Sequence, residues 1–197
     1  FRSEFALENT EIFRRADPQY RAFAGITGYQ LYIWYRDHKY CGRCGHLLEQ
    51  DGKERMLRCR ECGNMVYPKI CPAVIIGLTD GSRILMSKYA GRNYKKYALL
   101  AGFAEIGETL EETVKREVME EVGLKVKNIR YYKSQPWSFS DTLLMGFYCD
   151  LDGSDEITLD REELALAEWF GREEIPVEPS RDSLTNEMII KFKNGEV

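Results

Sequence analysis

The stretch GFAEIGETLEETVKREVMEEVGL, Gly102 to Leu124, dictates more of its own conformation than any other part of this 197-residue chain. Leu110, Val114, Val118 and Val122 recur every four residues and lay an apolar stripe along one side of a helix. Thr109 with Glu112 behind it is a capping-box pair, and Gly123 followed by Leu124 predicts a left-handed C-terminal cap. A helix over residues 110–122 follows. Glu117, Glu120 and Glu121 then share one narrow face, which borders the stripe at about 100° per residue. Three carboxylates that close stay ionised together only around a positive charge. A hard divalent cation such as Mg²⁺, bound through oxygen, meets that need. An acidic face turned to solvent has the same spacing.

Gly102, Glu108, Arg116, Glu117, Val118, Glu120, Glu121, Gly123 and Leu124 fill every fixed position of the pattern G-x(5)-E-x(7)-R-E-U-x-E-E-x-G-U, with U aliphatic. By these residues the chain resembles the Nudix hydrolases. The resemblance implies an α/β/α sandwich that hydrolyses phosphoanhydrides, which takes an activated water, a charge clamp on the phosphoryl oxygens and in-line placement. It implies that Glu117, Glu120 and Glu121 hold Mg²⁺ or Mn²⁺, with Ala101 part of the same site. Arg116 is expected to orient a carboxylate through a bidentate bond, and Glu108 to fix the loop or hold Arg116. Gly102 and Gly107 let backbone approach metal and substrate. Which glutamate takes the proton from water stays open.

Cys41-x-x-Cys44 and Cys59-x-x-Cys62 stand fourteen residues apart, each pair followed by glycine, Gly45 and Gly63. That spacing supplies four thiolates for a tetrahedral zinc, ahead of a redox pair or an iron–sulfur site. With every position filled by protein, the zinc is expected to be structural. His38 and His46 flank the ligands as surface or supporting residues. Between Cys41 and Pro68 five basic residues face four acidic ones, a net +1, too balanced to track phosphates. A scaffold or dimer-forming role is expected instead.

Net charge is −4, so an enzyme acting on phosphates has to bring its positive charge as metal or as local Arg and Lys. A 44% hydrophobic content supports a real core, and no apolar run reaches membrane length. The first residue is Phe1, no secretory signal is read at the start, and the cysteine usage predicts a reducing cytoplasm. We divide the chain into a helical segment, 1–40, a zinc ribbon, 41–68, and a catalytic domain, 69–197. Tyr20, Ala24, Thr27, Leu31 and Trp34 fall on one face of an expected packing helix, and Arg14, Arg15 and Arg21, although long enough to reach a phosphate, read as ordinary surface residues. Ala73 to Leu78, a turn at Asp80-Gly81 and Arg83 to Ser87 predict a hairpin. Tyr94, Lys95, Lys96 and Tyr97 form a polar aromatic approach to Leu99–Ala101. Cys71 and Cys149 read as buried thiols.

Beyond the box, a strand is expected at Ile129–Tyr132 and an aromatic loop at Ser134–Thr142. Ser134, Gln135, Pro136, Trp137 and Phe139 match S-Q-P-W-P-F-P-x-S, carried by the NADH pyrophosphatase branch of the Nudix hydrolases. Ser138 and Ser140 replace prolines and Thr142 a serine, which loosens the loop's preorganisation. That branch also joins a four-cysteine module to a Nudix domain, in this order. The resemblance implies cleavage of NADH or NAD⁺ to a nicotinamide mononucleotide and AMP, assembly as a homodimer, and, in some members, removal of NAD caps from RNA. By motif position Phe103 and Tyr67 flank the nucleotide, Thr142 and the backbone around Thr185 contact substrate, and Glu163, ahead of Glu162, adds a metal ligand. A further strand is expected at Leu143–Cys149, a turn at Asp152–Asp155 and a helix start at Ser183–Ile189. A broader Nudix activity on ADP-ribose, and a zinc-ribbon nucleic-acid regulator whose Nudix domain senses a nucleotide, are the competing readings.

Overall fold

The computed structural model describes residues 6–91, 96–180 and 183–197, so Tyr94 and Lys95 lie outside the described residues. The chain divides into two compact units: residues 1–70 with 137–141, and residues 71–136 with 142–197.

In the first unit a 3-10 turn, Thr10–Arg14, precedes helix α1, Gln19–Asp37. Its buried residues are Ala22, Ile26 and Trp34. The expected face therefore shifts around the helix: Trp34 is on it, whereas Tyr20 is 68% exposed and Ala24 also faces solvent. Aromatic residues placed all round this helix blur its period, and Ile26 rather than Tyr20 decides which side is buried. Strands β1, Leu48–Gln50, β2, Leu57–Cys59, and β3, Met65–Val66, form a small antiparallel sheet that carries Cys59.

The second unit is built on β4, Cys71–Asp80, and β5, Arg83–Tyr89. They form the predicted hairpin, but its two-residue turn is Gly81-Ser82, since Asp80 still pairs with Arg83. The two strands pair only at Thr79–Ile84 and Asp80–Arg83 before parting. Into the opening comes β6, Leu100–Phe103, antiparallel to β4 from Ala73–Phe103 to Ile76–Leu100. That insertion brings Gly102 to the helix that follows, α2, Leu110–Val122. Then come β7, Val126–Trp137, β8, Thr142–Leu151, β9, Leu164–Gly171, and α3, Leu184–Lys193. The six-stranded mixed sheet runs β7-β8-β4-β5-β9, with β6 on β4 and with β8 parallel to β4.

Alternation along β4 serves both faces of this sheet. Val74, Ile76 and Leu78 pack with Val114, Val118 and Val122 of α2. Ile75 packs with Leu184, Met188 and Ile189 of α3. Val114, Val118 and Val122 are fully buried, each worth about 1.5–3 kcal/mol of transfer free energy. On the α3 side Gly77 has no side chain because a Cβ there would lie 2.6 Å from the Tyr148 ring. Helix, sheet and helix thus form the predicted sandwich.

The expected loop at Ser134–Thr142 is shorter than read. Ser134 to Trp137 extend β7, the turn occupies residues 138–141, and Asp141 takes φ 56°. Pro136 is tolerated in this strand because β7 lies at the sheet's edge.

Candidate active site and zinc centre

Helix α2 forms as its sequence dictates. Thr109 accepts from the Glu112 amide while Glu112 reaches back to the Thr109 amide, and Gly123 closes the helix at φ 70°. The carboxylates this helix presents are organised by Arg116. Its Nε donates to Glu108 Oε1 at 2.6 Å and its Nη2 to Glu108 Oε2 at 3.0 Å, a bidentate pair. Its Nη1 donates to Glu117 Oε1 at 2.7 Å and to Glu120 Oε2 at 2.9 Å, and its Nη2 also reaches the Phe103 carbonyl at 2.9 Å. Glu108 accepts further bonds from the Glu105 amide at 3.1 Å and Thr113 Oγ1 at 2.9 Å.

Charge follows this geometry. The Arg116 guanidinium, then the Glu105 amide, hold Glu108 down to about 2. Burial pushes Glu117 up; Arg116 opposes the shift, and the neighbouring charges of Glu120 and Glu163 add to it. Because Glu108 lies below its ordinary value near 4.5, its contribution to stability is complete above that pH. It is lost as pH falls toward about 2. An Arg116→Lys protein, which cannot make the bidentate pair, is expected to be less stable than the parent above about pH 5 and to lose less stability between about pH 5 and 2, as read by thermal unfolding across that range.

Glu117 is 8% exposed and Glu121 2%, whereas Glu120 faces solvent. Gly102 makes room for the first of these. A Cβ on Gly102 would fall 1.9 Å from Glu117 Cδ, so Gly102→Ala has to displace the carboxylate. We expect that substitution to lower kcat at least about tenfold, as a small misplacement of a reacting array does, with far-UV circular dichroism unchanged.

The C-terminal turn of α2 is held by the segment after β8. The Thr158 amide bonds the Val122 carbonyl and the Asp160 amide the Glu121 carbonyl, both at 2.9 Å. Just beyond, the Glu163 carbonyl accepts from the Ala90 amide at 2.8 Å, which carries the exposed Glu163 to where its charge acts on Glu117. Glu162, also exposed, donates its amide to Asp160. Ala101 pairs with Ile75 in the β6–β4 ladder.

Among the described residues, the four cysteines are the one group of three or more candidate ligands whose donor atoms all lie within 4.8 Å of one another. The glutamates of α2 are not so gathered; Arg116 Nη1 stands between Glu117 and Glu120. The donors are nonetheless carboxylate oxygens on one helix face, two of them buried, and suit a hard divalent ion.

The cysteine knuckles repeat one backbone pattern. Gly45 N–H bonds the Cys41 carbonyl at 2.8 Å and Gly63 N–H the Cys59 carbonyl at 3.0 Å, with φ of 77° and 70° at the two glycines. Sulfur–sulfur distances of 3.6 Å for Cys41–Cys62, 3.5 Å for Cys44–Cys59 and 3.4 Å for Cys44–Cys62 exclude disulfides. They approach the roughly 3.8 Å edge of a tetrahedron built on Zn–S bonds of about 2.3 Å. The Arg43 amide and Asn64 Nδ2 both point at Cys41 Sγ, and the thiol is pushed down to about 6, first by the Arg43 amide.

The residues matched to the substrate motif are divided between the units. In the first, the Trp137 and Phe139 ring centroids are 5.1 Å apart. The Arg14 guanidinium stacks over both, 5.0 Å and 4.6 Å from the centroids, and pairs with Glu11. Sequence reasoning passed over Arg14 as surface, and no local signal marks it, since its aromatic partners lie far along the chain. Tyr67, 52% exposed, donates its hydroxyl to Glu54 at 2.8 Å, and Ser138 is buried. In the second unit Phe103 is 54% exposed, Thr142 is buried, Ser134 and Pro136 are exposed, and Gln135 and Thr185 are half-buried.

The chain belongs to the NUDIX family: residues 69–190 match the NUDIX domain model, and residues 36–67 match the NADH pyrophosphatase zinc ribbon domain. The chain is similar to the NAD-capped RNA hydrolase NudC of Erwinia tasmaniensis, 41% identical over 162 residues, or 82% of this chain and 62% of that protein. It is similarly related to the NudC of Klebsiella pneumoniae subsp. pneumoniae, 40% identical over 174 residues, or 88% of this chain and 66% of that one. The chain thus spans a little under two thirds of the curated relatives it matches. Among solved structures, a NUDIX hydrolase from Nitrosomonas europaea superposes with a TM-score of 0.66 at 24% identity, over 80% of this chain and 92% of that one. A UDP-X diphosphatase gives a TM-score of 0.51 at 21% identity, over 67% of this chain and 66% of that one. At these identities the structural likeness concerns the fold.

Proposed function

We propose that this protein hydrolyses the diphosphate bond of NADH or NAD⁺ to a nicotinamide mononucleotide and AMP, and removes NAD caps from RNA by the same cut. The observation that carries the reading is the carboxylate array of α2, with Glu117 and Glu121 buried and Glu117 and Glu120 aligned by Arg116, itself paired with Glu108. The relatives named NAD-capped RNA hydrolase and the zinc ribbon match support the choice of substrate.

Glu117, Glu120, Glu121 and Glu163, with Ala101, are the residues that would hold Mg²⁺ or Mn²⁺. When bound, the ion supplies charge stabilisation at the phosphoryl oxygens and activation of water. The protein's own part is placement. Glu108, fixed by the Glu105 amide and the Thr113 hydroxyl, holds Arg116, and Arg116 fixes Glu117 and Glu120 before any substrate arrives. Tyr67 and Phe103, each about half exposed, are the aromatic residues this reading assigns to the nucleotide. This reading also assigns Ser134, Gln135, Pro136, Trp137, Phe139 and Thr142, with the backbone at Thr185, to substrate binding.

The zinc of Cys41, Cys44, Cys59 and Cys62 is structural, and residues 1–40, 41–68 and 69–197 act as helical segment, zinc ribbon and hydrolase domain. We place the protein in a reducing cytoplasm as a homodimer; no described helix is long and apolar enough to cross a membrane. Serines at 138 and 140, where the branch carries prolines, favour a second reading with weaker dinucleotide selection. Rates on NADH, NAD⁺ and ADP-ribose in Mg²⁺ or Mn²⁺ separate the two. Faster cleavage of NADH supports the first reading, and turnover of ADP-ribose alone replaces it with the second. No turnover of any of them leaves a nucleotide-sensing regulator.

A further inference from the structure

The four sulfurs of the zinc centre are not equally placed. Cys41 and Cys59, which open the two knuckles, are buried, whereas Cys44 is exposed and Cys62 half-buried. The backbone draws the same distinction. The Cys41 amide donates to the His46 carbonyl at 2.7 Å, and Cys59 ends strand β2 with its amide on the Asn64 carbonyl at 2.9 Å. Asn64 Nδ2 also donates to Cys41 Sγ at 3.6 Å. Cys44 and Cys62 lie in the turns that follow. Their sulfurs are 3.4 Å apart, with Cys44–Cys59 next at 3.5 Å.

We propose that Cys44 and Cys62 form an oxidation site, which a hydroperoxide converts to a disulfide between the two knuckles with loss of the zinc. The inference rests on the reading above that the four cysteines hold zinc. Reaction of a thiolate with peroxide follows access, which singles out Cys44. Its sulfur attacks one peroxide oxygen, the O–O bond breaks, and the departing oxygen takes a proton from solvent and leaves as water. The Cys62 sulfur then displaces the hydroxyl of the Cys44 sulfenic acid, which leaves with a second proton as water. Two thiolates thereby become a disulfide as their two electrons reduce the peroxide. Closing Cys44 and Cys62 from 3.4 Å to the roughly 2.05 Å of a disulfide moves two turns. The same closure on Cys59 would pull on the β1–β2 ladder, in which Leu48 pairs with it. Cys41 and Cys59 are then the ligands left, too few for a closed zinc site, and the sheet of β1, β2 and β3 loosens with the ion. A dithiol together with zinc reverses the change.

Treating the zinc-loaded full chain with about one equivalent of hydrogen peroxide tests each part of this. A chromogenic chelator is expected to register about one zinc released per peroxide consumed, and peptide mapping to find Cys44 linked to Cys62. Dithiothreitol with added zinc should restore the reduced, zinc-bound protein. Cys44→His keeps a ligand set of three cysteines and one histidine but removes the reacting sulfur. It is expected to bind zinc and to release it in peroxide at least about tenfold more slowly than the parent. Zinc retained by the oxidised parent, a major disulfide other than Cys44–Cys62, or a Cys44→His protein that loses zinc as fast as the parent would each overturn the proposal. If Cys44→His does not fold, the disulfide map of the parent alone decides. If the freshly purified parent carries no zinc, the zinc reading fails, and the map still tests the pairing.

Discussion

Glu121→Gln protein is expected to cleave NADH about 10²- to 10³-fold more slowly than the parent while melting at nearly the same temperature. Glu121 is 2% exposed at the last turn of α2, where its backbone carbonyl already serves the Asp160 amide. Glutamine preserves shape and that backbone bond, so the change removes the charge and, in the proposed function, a metal-ligand atom. The comparison that isolates this effect is Glu120→Gln. Glu120 is exposed and already shares Arg116, so its loss is expected to cost less. Full activity in Glu121→Gln protein would remove that residue from the metal site.

The second large effect concerns the zinc ribbon. Cys59 is fully buried, lies on β2 and has its sulfur 3.5 Å from Cys44. Its strand joins β1 to β3, and Leu48 pairs with it directly. The three strands have only three, three and two residues, too little to hold a sheet by apolar burial alone. Zinc binding in such modules contributes about 10–16 kcal/mol that is also folding free energy. Cys59→Ser protein is therefore expected to carry less than about a tenth of the parent's zinc and to become protease-sensitive between residues 41 and 66. Zinc analysis with limited proteolysis reads both. Undiminished protection without zinc would mean that the peptide alone holds the sheet.

What could be read from the residues was local. The bounds of α2 follow from Thr109, Glu112 and Gly123, each acting within a few positions, and the structure places both ends where those signals fall. The cysteine spacing likewise determines its own knuckles. The two-faced core of β4 could be anticipated as an apolar run, although alternation between α2 and α3 shows only once both helices are in place. What was not legible depends on contacts between distant residues. The parting of β4 from β5 accompanies the insertion of β6, and the stacking of Arg14 on Trp137 and Phe139 joins residues more than a hundred positions apart. That Arg116 would orient a carboxylate could be read from the box, but not that its Nη1 would bridge Glu117 and Glu120. At Ser134–Trp137 an aromatic loop was expected where the structure extends an edge strand, which admits Pro136.

The most direct measurement of the central claim is the identity of the products formed from NADH by the full chain in Mg²⁺ or Mn²⁺. Equimolar reduced nicotinamide mononucleotide and AMP, with neither formed in EDTA, is the result expected of a cut at the diphosphate. Release of nicotinamide with ADP-ribose, or NADH left intact by folded, zinc-loaded protein, would contradict it.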